Sequence, residues 1–231
     1  MIDTTDIELL KSKGIAKEVL DAQIKRFSGG FKPLNVLRPA LVDDGIIRLN
    51  SRQTEDYVAI FTSQLEAGVY PAKFVPASGA ASRMFKDLYA YLDNPVPLTS
   101  LPETAPVVKF IKELPRFAFF PILERELSSY YLNDVEVRKT QAAEIISWLL
   151  GKEGLNYGFL PKGLVHFHSY KDTIRTAMEE HLAEGASYAA NADKVVRVHF
   201  TISPEHEEFF KKQVLNEGPA IEKMYGIKLE V

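Results

Sequence analysis

The spacing of apolar residues predicts a helical first part of the chain. Over residues 6–27 apolar side chains recur every three to five positions with one break at Gly14, which predicts two short helices. The apolar runs on either side of residues 43–45, Asp-Asp-Gly, predict a tight hairpin. Thr54 is expected to N-cap a third helix. Residues 1–71 are therefore predicted to form a helical preface with one hairpin.

Strands enter the pattern at residue 72. A short strand at Phe74 and Val75 leads into a small-residue loop, and a helix is expected from Arg83. Helical periodicity cut by prolines over residues 85–159 predicts a helical insertion.

From Gly158 onward three apolar strands alternate with two helices. Residues 195–202 are β-branched and mostly apolar, which is typical of a strand covered on both faces. The alternation predicts that residues 72–231 form an α/β domain with a Rossmann-like parallel sheet and the insertion after its first βα unit.

Composition excludes several classes of function. The 231 residues include 28 Lys+Arg and 31 Asp+Glu, a net charge of −3, so the broad basic surface that nucleic acid requires is not expected. Apolar runs fall short of the roughly 20 residues that span a membrane, and the first residues do not resemble a signal peptide. The absence of cysteine excludes disulfides, thiolate metal sites and a cysteine nucleophile. A cytoplasmic protein without a nucleic-acid or membrane partner is expected; its oligomeric state is not predicted.

The loop over residues 76–82 carries the clearest chemical signal. Small side chains between a strand and a helix let backbone N–H groups approach a ligand closely, and the following helix N-terminus favours an anion. Arg83 and Lys86 add two cations near a bound phosphate. The alternative is a tight βα connection whose small residues serve helix–sheet packing. The loop lacks both the Gly-Lys-Ser/Thr of a P-loop and the three glycines of a dinucleotide-binding loop.

These residues resemble a known family. Residues 74–84, Phe-Val-Pro-Ala-Ser-Gly-Ala-Ala-Ser-Arg-Met, are similar to the nucleotide-binding signature of sugar-phosphate nucleotidyltransferases in the nucleotide-diphospho-sugar transferase superfamily. Residues 161–165, Pro-Lys-Gly-Leu-Val, resemble the second signature of that family, and residues 184–186 are similar to the turn that follows it.

The resemblance implies transfer of a nucleotidyl group from a nucleoside triphosphate to a sugar phosphate or a similar phosphorylated small molecule. It implies Mg²⁺ as cofactor, although no ligand for the metal is found in this sequence. Arg83 and Lys162 would be the catalytic phosphate cations. Lys86 is predicted as a further phosphate contact from its position at the start of the following helix, and not from the resemblance. The loop that holds the nucleotide would consist of Ala77, Ser78, Gly79, Ala80, Ala81 and Ser82.

Alternatives to this transferase remain open. Ala81 replaces a glycine of the signature, and the family's metal-binding Gly-Asp has no counterpart before Val231. A nucleotide- or sugar-nucleotide-binding module without catalysis is therefore one alternative; another is that these residues are the N-terminal part of a longer enzyme. A third function is metal-dependent hydrolysis, with His166 and His168 on one strand and His199 on a neighbouring strand as ligands. Partly buried histidines at strand ends are the structural alternative to that metal site.

Overall fold

The computed structural model describes residues 3–231 and divides the chain into two packing units. The first ends at Glu55, and the second runs from Asp56 to Val231. The predicted boundary at residue 71 falls inside the second unit. Over residues 3–231, no helix combines the length and the apolar composition that crossing a membrane requires.

The first unit contains the two helices that the sequence predicts. They are α1 (Thr4–Ser12) and α2 (Lys17–Gly29). Asp3 starts α1 with a capping box, since its carboxylate accepts the Asp6 N–H at 2.9 Å and the Asp6 carboxylate accepts the Asp3 N–H at 3.0 Å. Of the residues described in this unit, none is buried. Its elements therefore form without a core of their own.

The predicted tight turn is present between two short strands, β1 (Leu41–Val42) and β2 (Gly45–Ile46). Leu41 and Asp44 form an antiparallel bridge, in which the Leu41 N–H donates to the Asp44 carbonyl at 2.8 Å and the Asp44 N–H donates to the Leu41 carbonyl at 2.9 Å. Beyond this bridge the two strands lie in parallel register, with Leu41 opposite Gly45. Asp43 and Gly45 both have left-handed backbone, with φ of 66° and 93°, which tightens the turn.

The third helix, α3 (Ser51–Glu66), begins earlier than predicted and crosses from the first unit into the second. Asn50 provides the cap, because its Oδ1 accepts the Gln53 N–H at 2.9 Å. Thr54 instead lies inside the first turns, where its hydroxyl donates to the Asn50 carbonyl at 3.1 Å.

The second unit is mixed α/β. Its strands are β3 (Ala72–Pro76), β4 (His166–Ser169), β5 (Ile174–Thr176), β6 (Val195–Thr201) and β7 (Lys228–Glu230). The remaining helices are α4 (Lys86–Asp93), α5 (Pro106–Glu113), α6 (Phe120–Glu126), α7 (Val135–Thr140), α8 (Ala142–Leu150), α9 (Ala177–Tyr188) and α10 (Glu207–Tyr225). The predicted α/β class is thus confirmed.

Three strands form a parallel sheet in the order β3-β6-β7. The predicted strand around His166 does not join it: β4 pairs antiparallel with β5 in a separate sheet. The chain turns back within a few residues, where the Tyr170 N–H donates to the Thr173 carbonyl at 2.8 Å, and Thr176 then caps α9. So short a connection cannot form the crossover that a parallel partner needs.

The expectation that β6 is covered on both faces is also wrong. Val196 and Val198 are buried, whereas Arg197 and His199 between and after them are exposed. Helices α9 and α10 pack against one face of the sheet. On the other face the Phe74 side chain, 63% exposed, stacks on His199 with ring centroids 6.1 Å apart.

The core of the second unit consists of two apolar clusters. The helical cluster contains Phe85, Ile111, Leu114, Leu123, Ile145, Ile146, Leu149 and other buried residues between Ala81 and Val165. The sheet cluster contains Val75, Ala77, Leu164, Met178, Leu182, Val196, Val198, Phe210 and Ile221 among its members. The predicted insertion over residues 85–159 supplies nearly all of the helical cluster.

Candidate phosphate-binding site

The predicted nucleotide loop follows β3 at one edge of the parallel sheet. Because β3 and β6 run in the same direction, their carboxyl ends meet at this edge. The Ala77 N–H donates to the Thr201 carbonyl at 2.9 Å and ties the start of the loop to the end of β6. Ligands of open α/β sheets bind at this edge, outside the carboxyl ends of the strands.

The loop is anchored at two points. Ala77 is 8% exposed and belongs to the sheet cluster, while Ala81 is 0% exposed and belongs to the helical cluster. Between these anchors Ser78, Gly79 and Ala80 are exposed, as is Ser82 after them. Four of the six predicted loop residues are therefore exposed and able to contact a ligand. The methyl group of Ala81 packs in the core, so it does not crowd the exposed side of the loop.

Gly79 marks an open position on the loop. A Cβ built on Gly79 meets no atom within 4 Å, and its backbone is not left-handed. Neither the turn nor the packing therefore requires a glycine there. Within residues 3–231, the N–H groups of Ser78 and Gly79 have no protein acceptor. Both features suit a ligand that approaches the backbone.

The two predicted motifs touch one another. The Lys162 N–H donates to the Gly79 carbonyl at 2.9 Å, and Ala80 forms a β-bridge with Pro161. Pro161 is buried, whereas the Lys162 side chain belongs to an exposed residue. The fold thereby brings Lys162 to the predicted nucleotide loop from a distant part of the sequence.

The two cations after the loop border a shallow depression. Arg83, Lys86 and Ser82 line it together with Tyr89, Ala90 and Asp93, and its volume is about 610 Å³. Arg83 does not begin the helix as predicted. The Met84 N–H donates to the Ala81 carbonyl at 2.9 Å in a separate turn, and α4 starts at Lys86. In the part of the chain that the structure describes, Arg83, Lys86 and Lys162 have no carboxylate partner.

The residues at this site do not fit a Mg²⁺ ion. Mg²⁺ is held by carboxylate oxygens, and among the described residues Asp93 is the one carboxylate that lines the depression. Across residues 3–231, no three His, Asp or Glu side chains form a group that could hold a metal. The donor set of the loop is instead one for anions, made of N–H groups and cationic side chains.

The histidines predicted as an alternative metal site are divided between two sheets. His166 and His168 lie on β4, whereas His199 lies on β6 in the parallel sheet. The Nδ1 atom of His166 lies 2.8 Å from the Tyr157 hydroxyl. His199 stacks on Phe74. The three side chains therefore do not converge.

A second polar cluster lies beside β3, and no sequence pattern predicted it. Lys73, whose side chain is 8% exposed, pairs with Glu184, and its Nζ donates to the Tyr188 hydroxyl at 3.2 Å. His181 Nδ1 lies 3.4 Å from Glu184 Oε2. The hydrogen bond from Lys73 is the first cause of a Glu184 pKa below its usual value. No local motif signals this cluster, because its members come from a strand and from a helix about a hundred residues later.

Fold and site together define an α/β protein with an anchored, partly exposed loop at the carboxyl edge of a parallel sheet. Beside the loop are cationic side chains that have no carboxylate partner in residues 3–231. The chain belongs to the family described as "Domain of unknown function (DUF4301)", whose model matches residues 3–231. No curated protein and no solved structure matches the chain.

Proposed function

We propose that the chain binds a nucleoside triphosphate at this loop and transfers its nucleotidyl group to a sugar phosphate or similar phosphorylated acceptor. The fold would be a divergent Rossmann-like one of the nucleotide-diphospho-sugar transferase type. One observation carries the proposal: the hydrogen bond between Lys162 and Gly79 joins the two sequence motifs that resemble that family. A resemblance by chance would not require the two segments to touch.

The exposed groups of the loop and the cations beside it would contact the phosphates of the bound nucleotide. The N–H groups of Ser78 and Gly79 would donate hydrogen bonds to phosphate oxygens, with the Ser82 hydroxyl nearby. Arg83 and Lys86 would hold the outer phosphates from the depression, and Lys162 would approach from the opposite segment. Three cations offset most of the charge of a triphosphate, which is the principal requirement for this chemistry.

The reaction needs little proton transfer. An acceptor phosphate oxygen attacks the α-phosphorus, a new P–O bond forms, and the bond to the β-phosphate oxygen breaks to release pyrophosphate. Arg83 and Lys162 would stabilise the charge that builds on the phosphoryl oxygens during this exchange.

The donor set favours a second candidate, a module that binds a nucleotide or sugar nucleotide without catalysis. Nucleotidyl transfer normally relies on protein carboxylates to position the metal, and the loop is bordered mainly by cations. This candidate shares the binding site with the first and differs from it only in turnover.

Calorimetric titration with the four ribonucleoside triphosphates and Mg²⁺, followed by a pyrophosphate-release assay with sugar phosphates, tests both candidates. We expect saturable binding that Lys162→Gln weakens about tenfold, the loss of one charge-assisted contact. Lys152→Gln, which removes an exposed lysine on a different loop, is the matched control and should bind as the wild type does. Binding with pyrophosphate release supports the transferase, and binding without it supports the module. Absence of binding to any triphosphate would reject both.

A further inference from the structure

A cavity lined by residues on both sides of Lys162, Leu160 and Leu164 among them, is not used by the proposed function. Its volume is about 230 Å³. Leu160, Leu164 and Phe209 form apolar walls, and His166, Lys212 and Asn216 contribute polar groups. Its volume equals that of roughly seven or eight water molecules. A nucleoside triphosphate does not fit such a space, but a small organic molecule does.

The Tyr157–His166 pair fixes the state of the imidazole at the cavity. Tyr157 is 2% exposed, and its hydroxyl oxygen accepts the His166 backbone N–H at 3.4 Å. The hydroxyl lies 2.8 Å from His166 Nδ1, and no other acceptor for its proton is found in residues 3–231, so we assign Tyr157 as the donor and His166 Nδ1 as the acceptor. With Nδ1 as acceptor, a neutral imidazole carries its proton on Nε2. Burial supports this state, because it raises the Tyr157 pKa and lowers the His166 pKa.

One charged side chain is found among the described residues that line the cavity. Lys212 lines it, and no acidic side chain of residues 3–231 does. Lys211, the preceding residue, pairs with Glu207 at 2.8 Å and Glu208 at 3.2 Å, whereas no such partner is found for Lys212 in the described chain. Glu179 lies near enough to affect the His166 pKa. Its carboxylate, however, accepts the Thr176 N–H at 2.6 Å and does not line the cavity.

We propose that this cavity binds a small organic carboxylate with a short aliphatic chain. The His166 Nε2–H and the Lys212 ammonium group bind the carboxylate, and the aliphatic chain packs on Leu160, Leu164 and Phe209. Because the buried Tyr157 hydroxyl holds His166 in one tautomer, the His166 Nε2–H is a preorganised donor, which lowers the cost of binding. The proposal does not depend on nucleotide binding at the loop.

Nuclear magnetic resonance of protein labelled with ¹⁵N-histidine tests the site directly. Sodium butyrate is the probe, n-butylamine supplies an aliphatic chain of similar length with the opposite charge, and inorganic phosphate supplies an anion without a chain. We expect butyrate to shift the His166 Nε2 resonance saturably at millimolar concentration, with no saturable shift from n-butylamine. A response to phosphate as strong as that to butyrate would overturn the choice of a carboxylate with an apolar chain. No saturable response to butyrate would overturn the site.

Two neighbouring lysines provide a matched pair of variants. Lys212→Gln should weaken butyrate binding about tenfold, whereas Lys211→Gln, which removes a lysine engaged by Glu207 and Glu208, should leave it unchanged. Both residues are exposed, so both variants are expected to fold. Equal weakening in the two variants would show a general charge effect and reject Lys212 as a ligand of the site.

Discussion

The two clusters of the second unit both contain fully buried side chains, but the helical cluster contains more of them. In the helical cluster Ile111, Leu114, Leu123, Ile145 and Leu149 are all 0% exposed. The sheet cluster covers only one face of β3, β6 and β7, and leaves Phe74 and His199 open on the other. Stability is therefore expected to reside mainly in the helical cluster. The sheet keeps its carboxyl edge accessible, and the candidate phosphate loop spans the junction of the two.

The helical cluster depends on one buried cation, and its removal should have the largest effect. Arg138 is 4% exposed and donates to the carbonyls of Ile111, Leu132 and Lys112 at 3.0, 2.6 and 3.3 Å. Arg138→Met keeps much of the apolar stem and leaves these carbonyls without their donor. We expect the free energy of unfolding to fall by about 3 kcal/mol, measured by urea denaturation.

Arg138→Lys is the control for that prediction. It keeps the charge but lacks the planar fork that reaches three carbonyls, so its loss should be intermediate. Equal stability of Arg138→Met and the wild type would mean that the helical cluster does not need these hydrogen bonds.

The two faces of the sheet should respond unequally to truncation. Val198 is 1% exposed in the sheet cluster, and Val198→Ala should lower the free energy of unfolding by about 2 kcal/mol. Phe74 is 63% exposed on the open face, and Phe74→Ala should cost less than about 1 kcal/mol although it removes more atoms. Urea denaturation of both variants decides the matter. A larger loss for Phe74→Ala would show that the open face is covered in solution.

A substitution in the loop between the clusters should change the affinity for nucleotide and leave the stability of the fold unchanged. Gly79→Ala adds a methyl group where no protein atom lies within 4 Å, so the melting temperature should stay within about 2 °C of the wild type. The same methyl group would meet an approaching phosphate and should weaken nucleotide binding at least about tenfold.

Gly29→Ala is the matched control, since its added methyl group also meets no atom within 4 Å and the residue lies in α2. It should leave nucleotide affinity unchanged in the same titration. Full affinity in Gly79→Ala would contradict the placement of the phosphates on the loop.

The smallest expected effect is a pH dependence centred on His166, at the border of the two clusters. Burial is the main cause of a His166 pKa below its ordinary value, and Glu179 opposes the shift. As the pH falls below that ordinary value, near 6.5, the unfolded chain takes up the proton before the folded one. Stability is therefore full above the ordinary pKa and declines as the pH falls toward the folded pKa.

His166→Gln should flatten this decline. Thermal unfolding of both proteins between pH 7.5 and pH 5 measures the difference. Identical pH profiles would show that His166 carries the same pKa folded and unfolded.

Local sequence patterns predicted the helices and strands better than they predicted which of them pack or pair with one another. The helices α1 and α2 and the strands β3 and β6 follow from periodicity, because side chains three to four or two residues apart share a face. The partner of β4 and the open face of β6 depend on which helices cover the sheet, and this is not encoded within any one segment. Arg138 also could not be recognised, because its three acceptors come from two other segments.

The candidate site divides in the same way. Small residues identified the loop, and the resemblance associated it with Lys162. Which loop residues are exposed depended on the two clusters, which bury Ala77 and Ala81. No sequence pattern identified Tyr157. A tyrosine before a glycine is typical of no single function, and the histidine that Tyr157 contacts lies nine residues away.

A crystal structure of the protein with a nucleoside triphosphate and Mg²⁺ tests the central claim most directly. We expect phosphate oxygens within hydrogen-bonding distance of the Ser78 and Gly79 N–H groups, and the side chains of Arg83 and Lys162 in contact with the same phosphates. Phosphates bound away from residues 77–83 would contradict it.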